Sequence, residues 1–336
     1  MKILISSHAF APSVGGIETV TKLLAYEFVR LGHRVAVLTQ TPATDAETFS
    51  YPVIRQPSVI ELHRALAGCD IFWQNNLSLR TLWPVTLRRR PVVITHQGSY
   101  CRKPAGLDLH QRVKHAAVNH YPSIAVSKAV AKCFHTESVI IPNPYQSEIF
   151  HLPPNDADRQ QDLIFVGRLV SEKGIDLLLQ SLEKLKARQL APCLTIVGSG
   201  PERPLLEQLT ARLRLDRQVA FAGPLQGQAL AKTLQRHKIL VVPSRYDEPF
   251  GVVALEGIAC GCMVVGSSGG GLPEAIGPCG LTFPNGDVDA LTRELARLLL
   301  QGDEWQRLRV NASSHLANFE AETIAQKYLS LFRTLL

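Results

Sequence analysis

The sequence has no apolar run long enough to cross a bilayer. Its longest apolar stretch, Phe250 to Gly266, is broken by Glu256 and four glycines, short of the roughly 20 uninterrupted apolar residues that a spanning helix needs. A secretory leader is not indicated either, because after Lys2 only Ile3, Leu4 and Ile5 are apolar before Ser6, Ser7 and His8; the expectation is a cytoplasmic protein. Internal repeats and low-complexity tracts are missing as well. The seven cysteines, at 69, 101, 133, 193, 260, 262 and 279, are odd in number and scattered, which points to reduced thiols rather than a disulfide framework. Cys260 and Cys262 have only Cys279 and no histidine nearby, so they fall short of a four-ligand zinc site and read as core packing.

What is present is ordinary and foldable. Hydrophobic residues at 46% and charged residues at 19% exclude a disordered or collagenous chain. At roughly 100 to 200 residues per domain, 336 residues predict two domains. Charge is uneven. Residues 1–155 hold 16 Lys and Arg against 9 Asp and Glu, while residues 156–336 hold 20 of each, so the formal +7 lies in the first half. Between Arg80 and Lys132 there are ten basic residues (80, 88, 89, 90, 102, 103, 112, 114, 128 and 132) and one acidic residue, Asp108, with Trp83 and Tyr100 interleaved. Such a field attracts an anionic partner: an anionic membrane surface, a phosphorylated acceptor or nucleic acid.

The first 40 residues read as strand, glycine loop, helix, strand. Ile3 to Ile5 and Val35 to Leu38 are apolar runs; between them Val20, Leu23, Leu24, Phe28 and Leu31 recur at helical spacing and Gly32 supplies the stop. Further runs at 91–95, 123–126 and 139–141 suit parallel strands buried on both faces. Prolines 142, 144, 153 and 154 then break the periodicity and mark an interdomain connection over Pro142 to Asp158. Strands at Leu163–Val166, Leu194–Val197, Val219–Phe221, Ile239–Val242 and Met263–Val265 alternate with helical patterns from Ile175, Glu202, Gly227 and Val252. A final helix, Glu320 to Leu335, carries Ile324, Tyr328, Leu331 and Phe332 on one stripe. The expected architecture is α/β, two Rossmann-like doubly wound parallel sheets.

Four clusters lie at predicted strand ends, where such sheets bind ligands. Gly15, Gly16, Ile17 and Glu18 precede the first helix, as either an anion-binding turn or simply a turn. Gly167 and Arg168, then Glu172, Lys173 and Gly174, follow a strand; a guanidinium fork and an ammonium suit a pyrophosphate, and a solvated loop with a Glu172–Lys173 pair is the alternative. Gly198, Ser199, Gly200 and Pro201 suggest a dinucleotide loop, but Arg203 stands where the third glycine of GxGxxG belongs, which disfavours a nicotinamide cofactor. The fourth cluster is Ser244, Arg245, Tyr246, Asp247, Glu248, Pro249, Phe250 and Gly251, then Val252 into a helix that carries Glu256 and Gly257. Glu256 interrupts an apolar stretch, and a buried carboxylate is costly unless hydrogen-bonded, so a hydroxyl-bearing partner is implied.

These motifs, in this order and over essentially the whole chain, resemble family 4 (GT4) of the retaining, nucleotide-sugar-dependent glycosyltransferases of the GT-B fold, with the second half matching more tightly. The resemblance implies two domains facing across a cleft: residues 1–150 binding acceptor, 151–316 binding the nucleotide sugar, and helix 317–336 crossing back to the first. It implies Arg168 and Lys173 on the donor diphosphate, Glu256 on ribose, Glu248 on the transferred sugar, Gly15 and Gly16 on the phosphates from the opposite domain, and Gly198, Phe250, Gly251 and Val252 lining the donor. His96, in Thr95-His96-Gln97-Gly98, resembles the family histidine that contacts the donor sugar. The neighbour after it is often acidic in the family and is Gln97 here, which alters the local hydrogen-bond network.

By the same resemblance the reaction is hexosyl transfer with retention, by front-face attack assisted by the departing phosphate, with no cofactor and no metal. A UDP-hexose donor is slightly favoured over GDP-mannose. The acceptor is a hydroxyl, glycolipid and phosphorylated compounds included, in cell-envelope glycolipid, lipopolysaccharide or polysaccharide synthesis, with the enzyme cytoplasmic or peripheral on the inner face of the membrane. Two Asp-x-Asp triplets, Asp156/Asp158 and Asp287/Asp289, invite a metal reading; the first suits a solvated linker and the second a helix N-cap and first turn. A nucleotide-sugar epimerase of the same fold is one alternative. A basic nucleic-acid-binding protein is another, although it leaves Glu248 and Glu256 unexplained and no nucleic-acid module is recognisable.

Overall fold

The computed structural model describes residues 1–13, 15–43, 48–87, 90–98, 118, 120–134, 138–153, 159–300 and 302–336. The chain divides into two compact units, residues 1–144 with 319–336 and residues 145–318. The sequence puts the changeovers after 150 and 316, a few residues away from these. Tyr145 and Phe150 are buried, at 5% and 2% exposure. The proline-rich connection is therefore anchored by side chains over its first part; Pro154, Asp156 and Asp158 lie outside the described residues.

In the first unit the described strands are β1 (Lys2–Ser6), β2 (Arg34–Thr39), β3 (Val53–Arg55), β4 (Ile71–Asn75), β5 (Val92–His96), β6 (Ser123–Ala125) and β7 (Val139–Ile140). They form a parallel sheet in the order β3-β2-β1-β4-β5-β6-β7. Sequence order reverses between β1 and β4, which opens a crevice at the carboxyl ends of those strands. The sequence pattern does not reveal β3 and β4. β4 reads Ile-Phe-Trp-Gln-Asn and its two amides are as buried as its apolar residues, Gln74 at 0% and Asn75 at 1%, so hydropathy stops short of its end.

The Ala321–Thr334 helix belongs to this first unit, one residue shorter at each end than the periodicity predicts. Its buried stripe is Ile324, Ala325, Tyr328, Leu329 and Phe332. Tyr328 lies 4.9 Å from Trp73 between ring centroids, Phe332 lies 5.9 Å from Phe28, and the Tyr328 hydroxyl is 3.1 Å from Thr95 Oγ1. Glu322 pairs with Arg30 at 2.6 Å at the rim. Aromatic rings of this size carry large apolar area, and edge-to-face contacts add to it.

The second unit holds β8 (Gln161–Val166), β9 (Leu194–Val197), β10 (Val219–Gly223), β11 (His237–Val242), β12 (Met263–Ser267) and β13 (Gly280–Phe283). All are parallel, in the order β10-β9-β8-β11-β12-β13. The order reverses between β8 and β11. Leu163, Phe165, Ile196, Ile239, Val241 and Val265 from the sheet meet Leu178, Leu182, Leu291 and Leu295 from helices Ile175–Ala187 and Val288–Leu300 in one core. Cys260 and Cys262 are buried thiols, at 0% and 3%, with Cys262 Sγ donating to the Leu234 carbonyl. Five cysteines are free among the described residues. Cys133 is disulfide-bonded, an exception to the reduced thiols expected and not a disulfide framework.

Candidate functional site

The strand-order reversal of the second unit brings two loops together whose meeting residues, Lys173 and Glu248, are 75 apart in sequence. The loop after β8 ends in the short turn Ser171–Lys173, and Gly174, at φ +66°, starts the next helix. A Cβ on Gly174 would stand 2.0 Å from the Pro243 carbonyl oxygen, so only glycine permits this approach. Arg245 N–H donates to the Glu172 carbonyl at 2.8 Å, and the Arg245 guanidinium pairs with Asp176. The loop after β11 is thereby tied to the loop after β8.

Lys173 and Glu248 meet at this junction. The ammonium is 2.5 Å from Glu248 Oε1, with the Lys side chain 21% and the Glu side chain 7% exposed. Ser244 Oγ donates to the same oxygen at 2.6 Å, and Tyr246 Oη donates to Oε2 at 2.5 Å. Lys173 also donates to Tyr246 Oη at 3.2 Å and lies 5.1 Å from that ring's centroid. Burial, then the nearby Glu248 charge, pushes the Tyr246 phenol well above its usual range. The Glu248 carbonyl accepts from Gly271 N–H at 2.6 Å, and a Cβ on Gly270 would stand 2.2 Å from that carbonyl oxygen. Gly270 and Gly271 escape a motif-based reading; Ser244 and Tyr246 stand within the fourth cluster, but the sequence assigns neither a role toward Glu248.

Arg168, at the end of β8, is exposed and makes no hydrogen bond or ion pair among the described residues; its charge is close enough to act on Tyr246. Gly198, at φ +143°, lies against that segment, and a Cβ there would stand 1.8 Å from the Gly167 carbonyl oxygen. Leu169 N–H donates to the Ser199 carbonyl at 2.9 Å. The glycine loop Val197 to Pro201 is thus a brace behind the Arg168 loop.

Phe250 is 2% exposed and anchors the β11 loop in the interior. Gly251, at φ +101°, opens the Val252–Ala259 helix. Gly257 lets that helix approach β11, since a Cβ there would stand 2.5 Å from Leu240 Cδ2. Glu256, one residue earlier, is half-buried and makes no hydrogen bond or ion pair among the described residues. Burial raises its pKa to about 7. The structure therefore joins Lys173 to Glu248 directly and keeps Glu256 apart, on the same helix that the Glu248 loop leads into.

In the first unit, Gly15 is the extended N-cap residue of the Gly16–Arg30 helix, which has no side-chain cap. His96 ends β5, is 0% exposed and lies 4.1 Å from the Phe134 ring. Burial lowers its pKa to about 4, so the imidazole is neutral at physiological pH. Its neighbour Gln97 exchanges two hydrogen bonds with Asn143, at 2.9 and 2.7 Å, and donates to Asn75 Oδ1 at 2.9 Å. Asn75 donates in turn to Thr21 Oγ1 at 2.7 Å, on the Gly16–Arg30 helix. An amide network thus occupies the place where the family often has an acid.

Asp287 caps the Val288–Leu300 helix by accepting from Ala290 N–H at 2.8 Å, and Asp289 pairs with Lys184 at 2.5 Å. No group of three or more metal-ligating side chains occurs among the described residues. Of the basic run, Arg80, Arg90, Lys128 and Lys132 are described; residues 88, 89, 102, 103, 108, 112 and 114 lie outside the described residues.

Residues 148–315, half of the chain, match the family Glycosyl transferases group 1. The chain belongs to that family. Among curated relatives, an uncharacterized glycosyltransferase of Methanocaldococcus jannaschii is 44% identical over 119 residues, 35% of this chain and 30% of that protein. A D-inositol 3-phosphate glycosyltransferase of Corynebacterium urealyticum is 35% identical over 180 residues, 51% of this chain and 42% of that protein. The chain thus spans less than half the length of the curated relatives it matches. Among solved structures, Anabaena HepE in complex with UDP is similar at a TM-score of 0.84 and 21% identity, covering 100% of both chains. Sucrose-phosphate synthase of Thermosynechococcus elongatus is similar at 0.81 and 23%, covering 99% of this chain and 98% of that one. Both share the fold of two parallel-sheet α/β domains, GT-B.

Proposed function

We propose that this group 1 protein transfers a hexosyl unit from a nucleotide diphosphate sugar to a hydroxyl acceptor, with retention of anomeric configuration and without a metal. The observation that carries the reading is the Lys173–Glu248 pair at the β8/β11 reversal, beside exposed Arg168 and next to a helix start. As the diphosphate departs, negative charge grows on the leaving group and the anomeric carbon becomes oxocarbenium-like. Arg168 and Lys173 stabilise the former, where low dielectric strengthens each contact. Glu248 accepts hydroxyls of the transferred sugar, and Glu256 those of the ribose. Phe250, Gly251 and Val252 shape the helix start that lines the donor, with Gly198 bracing the Arg168 loop. Neutral His96 contacts the sugar, and Gly15 and Gly16 offer backbone N–H groups to phosphate.

A UDP-hexose donor is favoured over GDP-mannose, in line with the UDP and UDP-glucose complexes named for Anabaena HepE. Thermal shift against a panel of nucleotide sugars tests the reading, because a bound donor stabilises the fold by mass action. A rise with one donor is expected; no rise with any donor at millimolar concentration overturns it.

A specific surface supports peripheral attachment to an anionic membrane. Val59 and Ile60 at the start of the Val59–Gly68 helix are 56% and 71% exposed, and Trp83 is 48% exposed. His63, one turn after Ile60, lies 5.9 Å from the Trp83 ring, so the three apolar residues share one face. Arg64, Arg80 and Arg90 of the same unit are exposed as well. Indole at the rim and guanidinium around it is the chemistry of a lipid interface.

A further inference from the structure

The Glu248 carboxylate is held by more than its lysine. Oε1 accepts from Lys173 at 2.5 Å and Ser244 at 2.6 Å, which uses both of its lone pairs, and Oε2 accepts from Tyr246 at 2.5 Å, which leaves one. Lys173 has three N–H bonds and spends two, on Glu248 and on Tyr246 Oη. The cluster therefore offers one anion-seeking N–H on Lys173 and one open acceptor position on Glu248. Both are placed by the same tyrosine. Its hydroxyl touches both charged groups, and its ring carries the ammonium at 5.1 Å from the centroid.

We propose that Tyr246 is a positioning residue that divides the site in two: its hydroxyl aims Glu248 at a sugar hydroxyl, and its ring holds Lys173 for the diphosphate. This deepens the donor reading above and rests on it. Ser244, at 0% exposure, is the second support of the carboxylate. The phenol remains a donor throughout the physiological range, because burial and the adjacent carboxylate both oppose its ionisation. A cation over a tyrosine face is attracted by the ring itself, so the ring contribution survives loss of the hydroxyl.

Tyr246→Phe and Tyr246→Leu separate the two halves. Calorimetry on the full chain would measure affinity for free UDP and for the UDP-sugar that raises the melting temperature most. In Tyr246→Phe the affinity for UDP stays within about twofold, while the affinity for the nucleotide sugar falls about tenfold, as expected for one lost hydrogen bond to a charged group. Ser244→Ala shows the same selective loss. Tyr246→Leu, which also lacks the ring, loses several-fold in UDP as well. A purely structural tyrosine would move both ligands together, so equal losses in Tyr246→Phe, or none, overturn the assignment. Wild-type protein that binds neither UDP nor any nucleotide sugar overturns the donor reading and this inference with it; wild-type binding with an unchanged ratio in Tyr246→Phe overturns the role of Tyr246 alone.

Discussion

Gln97 and Asn143 face each other as a reciprocal amide pair, each donating to the other's carbonyl oxygen, at 2.9 and 2.7 Å. They are 46 residues apart in sequence and both are buried, at 9% and 6% exposure. The pair ties the end of β5, where His96 sits, to the segment after β7, and Asn75 extends it to the first helix. Asn143→Ala takes away the donor to Gln97 Oε1 and leaves Gln97 Nε2 with Asn75 alone. A buried group so abandoned costs about 1–3 kcal/mol, read as faster hydrogen exchange of the β5 amides; exchange unchanged from wild type would refute the bracing role.

Removing Lys173 or Arg168 tests the diphosphate assignment. Each charge-assisted hydrogen bond is worth roughly 1.5–3 kcal/mol, or about 10- to 150-fold in affinity. Lys173→Ala should lie at the larger end, because Lys173 is mostly buried and Arg168 is exposed. Calorimetry with a nucleoside diphosphate gives the answer; unchanged affinity in both folded variants sinks the assignment.

Glu256 supplies a pH test with a definite sign. Its folded pKa of about 7 lies above the unfolded value of about 4.3, so between these values the folded state binds more protons than the unfolded state. Its contribution to stability therefore falls as pH rises through that window and levels off above about 7. Glu256→Gln should melt higher than wild type at pH 8, with the gap closing at pH 5. Because ribose hydroxyls donate to the ionised form, nucleotide affinity should rise from pH 6 to pH 8 in wild type and stay flat in Glu256→Gln. A wild-type profile as flat as the variant's would rule out the ribose contact.

Transfer without a metal predicts that excess chelator leaves turnover intact, since Arg168 and Lys173 supply the positive charge a cation otherwise provides. NMR of the first-formed product should show retention. Chelator-sensitive turnover or an inverted anomer each removes its own half of the proposal.

The amphiphilic face of the first unit predicts sedimentation with vesicles containing phosphatidylglycerol, weaker binding to pure phosphatidylcholine, and loss as salt rises. Each basic residue at an anionic surface is worth about 1 kcal/mol. Ile60→Ser with Trp83→Ser should abolish binding and leave nucleotide affinity unchanged. Equal sedimentation with both vesicle types at low salt, or binding that survives the double substitution, would mean that this face meets something other than anionic lipid.

Sequence alone was enough for the class of fold, because parallel strands buried on both faces leave apolar runs and their helices leave a 3.6-residue stripe, as in Ile324, Tyr328 and Phe332. It marked Lys173, Glu248 and Glu256 as candidates too, since a glycine loop between strand and helix and an acid inside an apolar stretch are local signals. β4 was not legible, because its buried amides Gln74 and Asn75 look polar until Thr81 and Gln97 are seen beside them. Tertiary structure alone decided that Lys173 and Glu248 touch. Their loops meet only because β11 pairs with β8 across the reversal of strand order, and strand pairing over that sequence distance is set by the packing of the whole sheet. The same holds for Tyr246 and Ser244. A hydroxyl next to an acid in sequence says nothing about which oxygen it reaches; the fold of the 243–250 loop, with Gly270 and Gly271 against the Glu248 carbonyl, is what directs three donors onto one carboxylate.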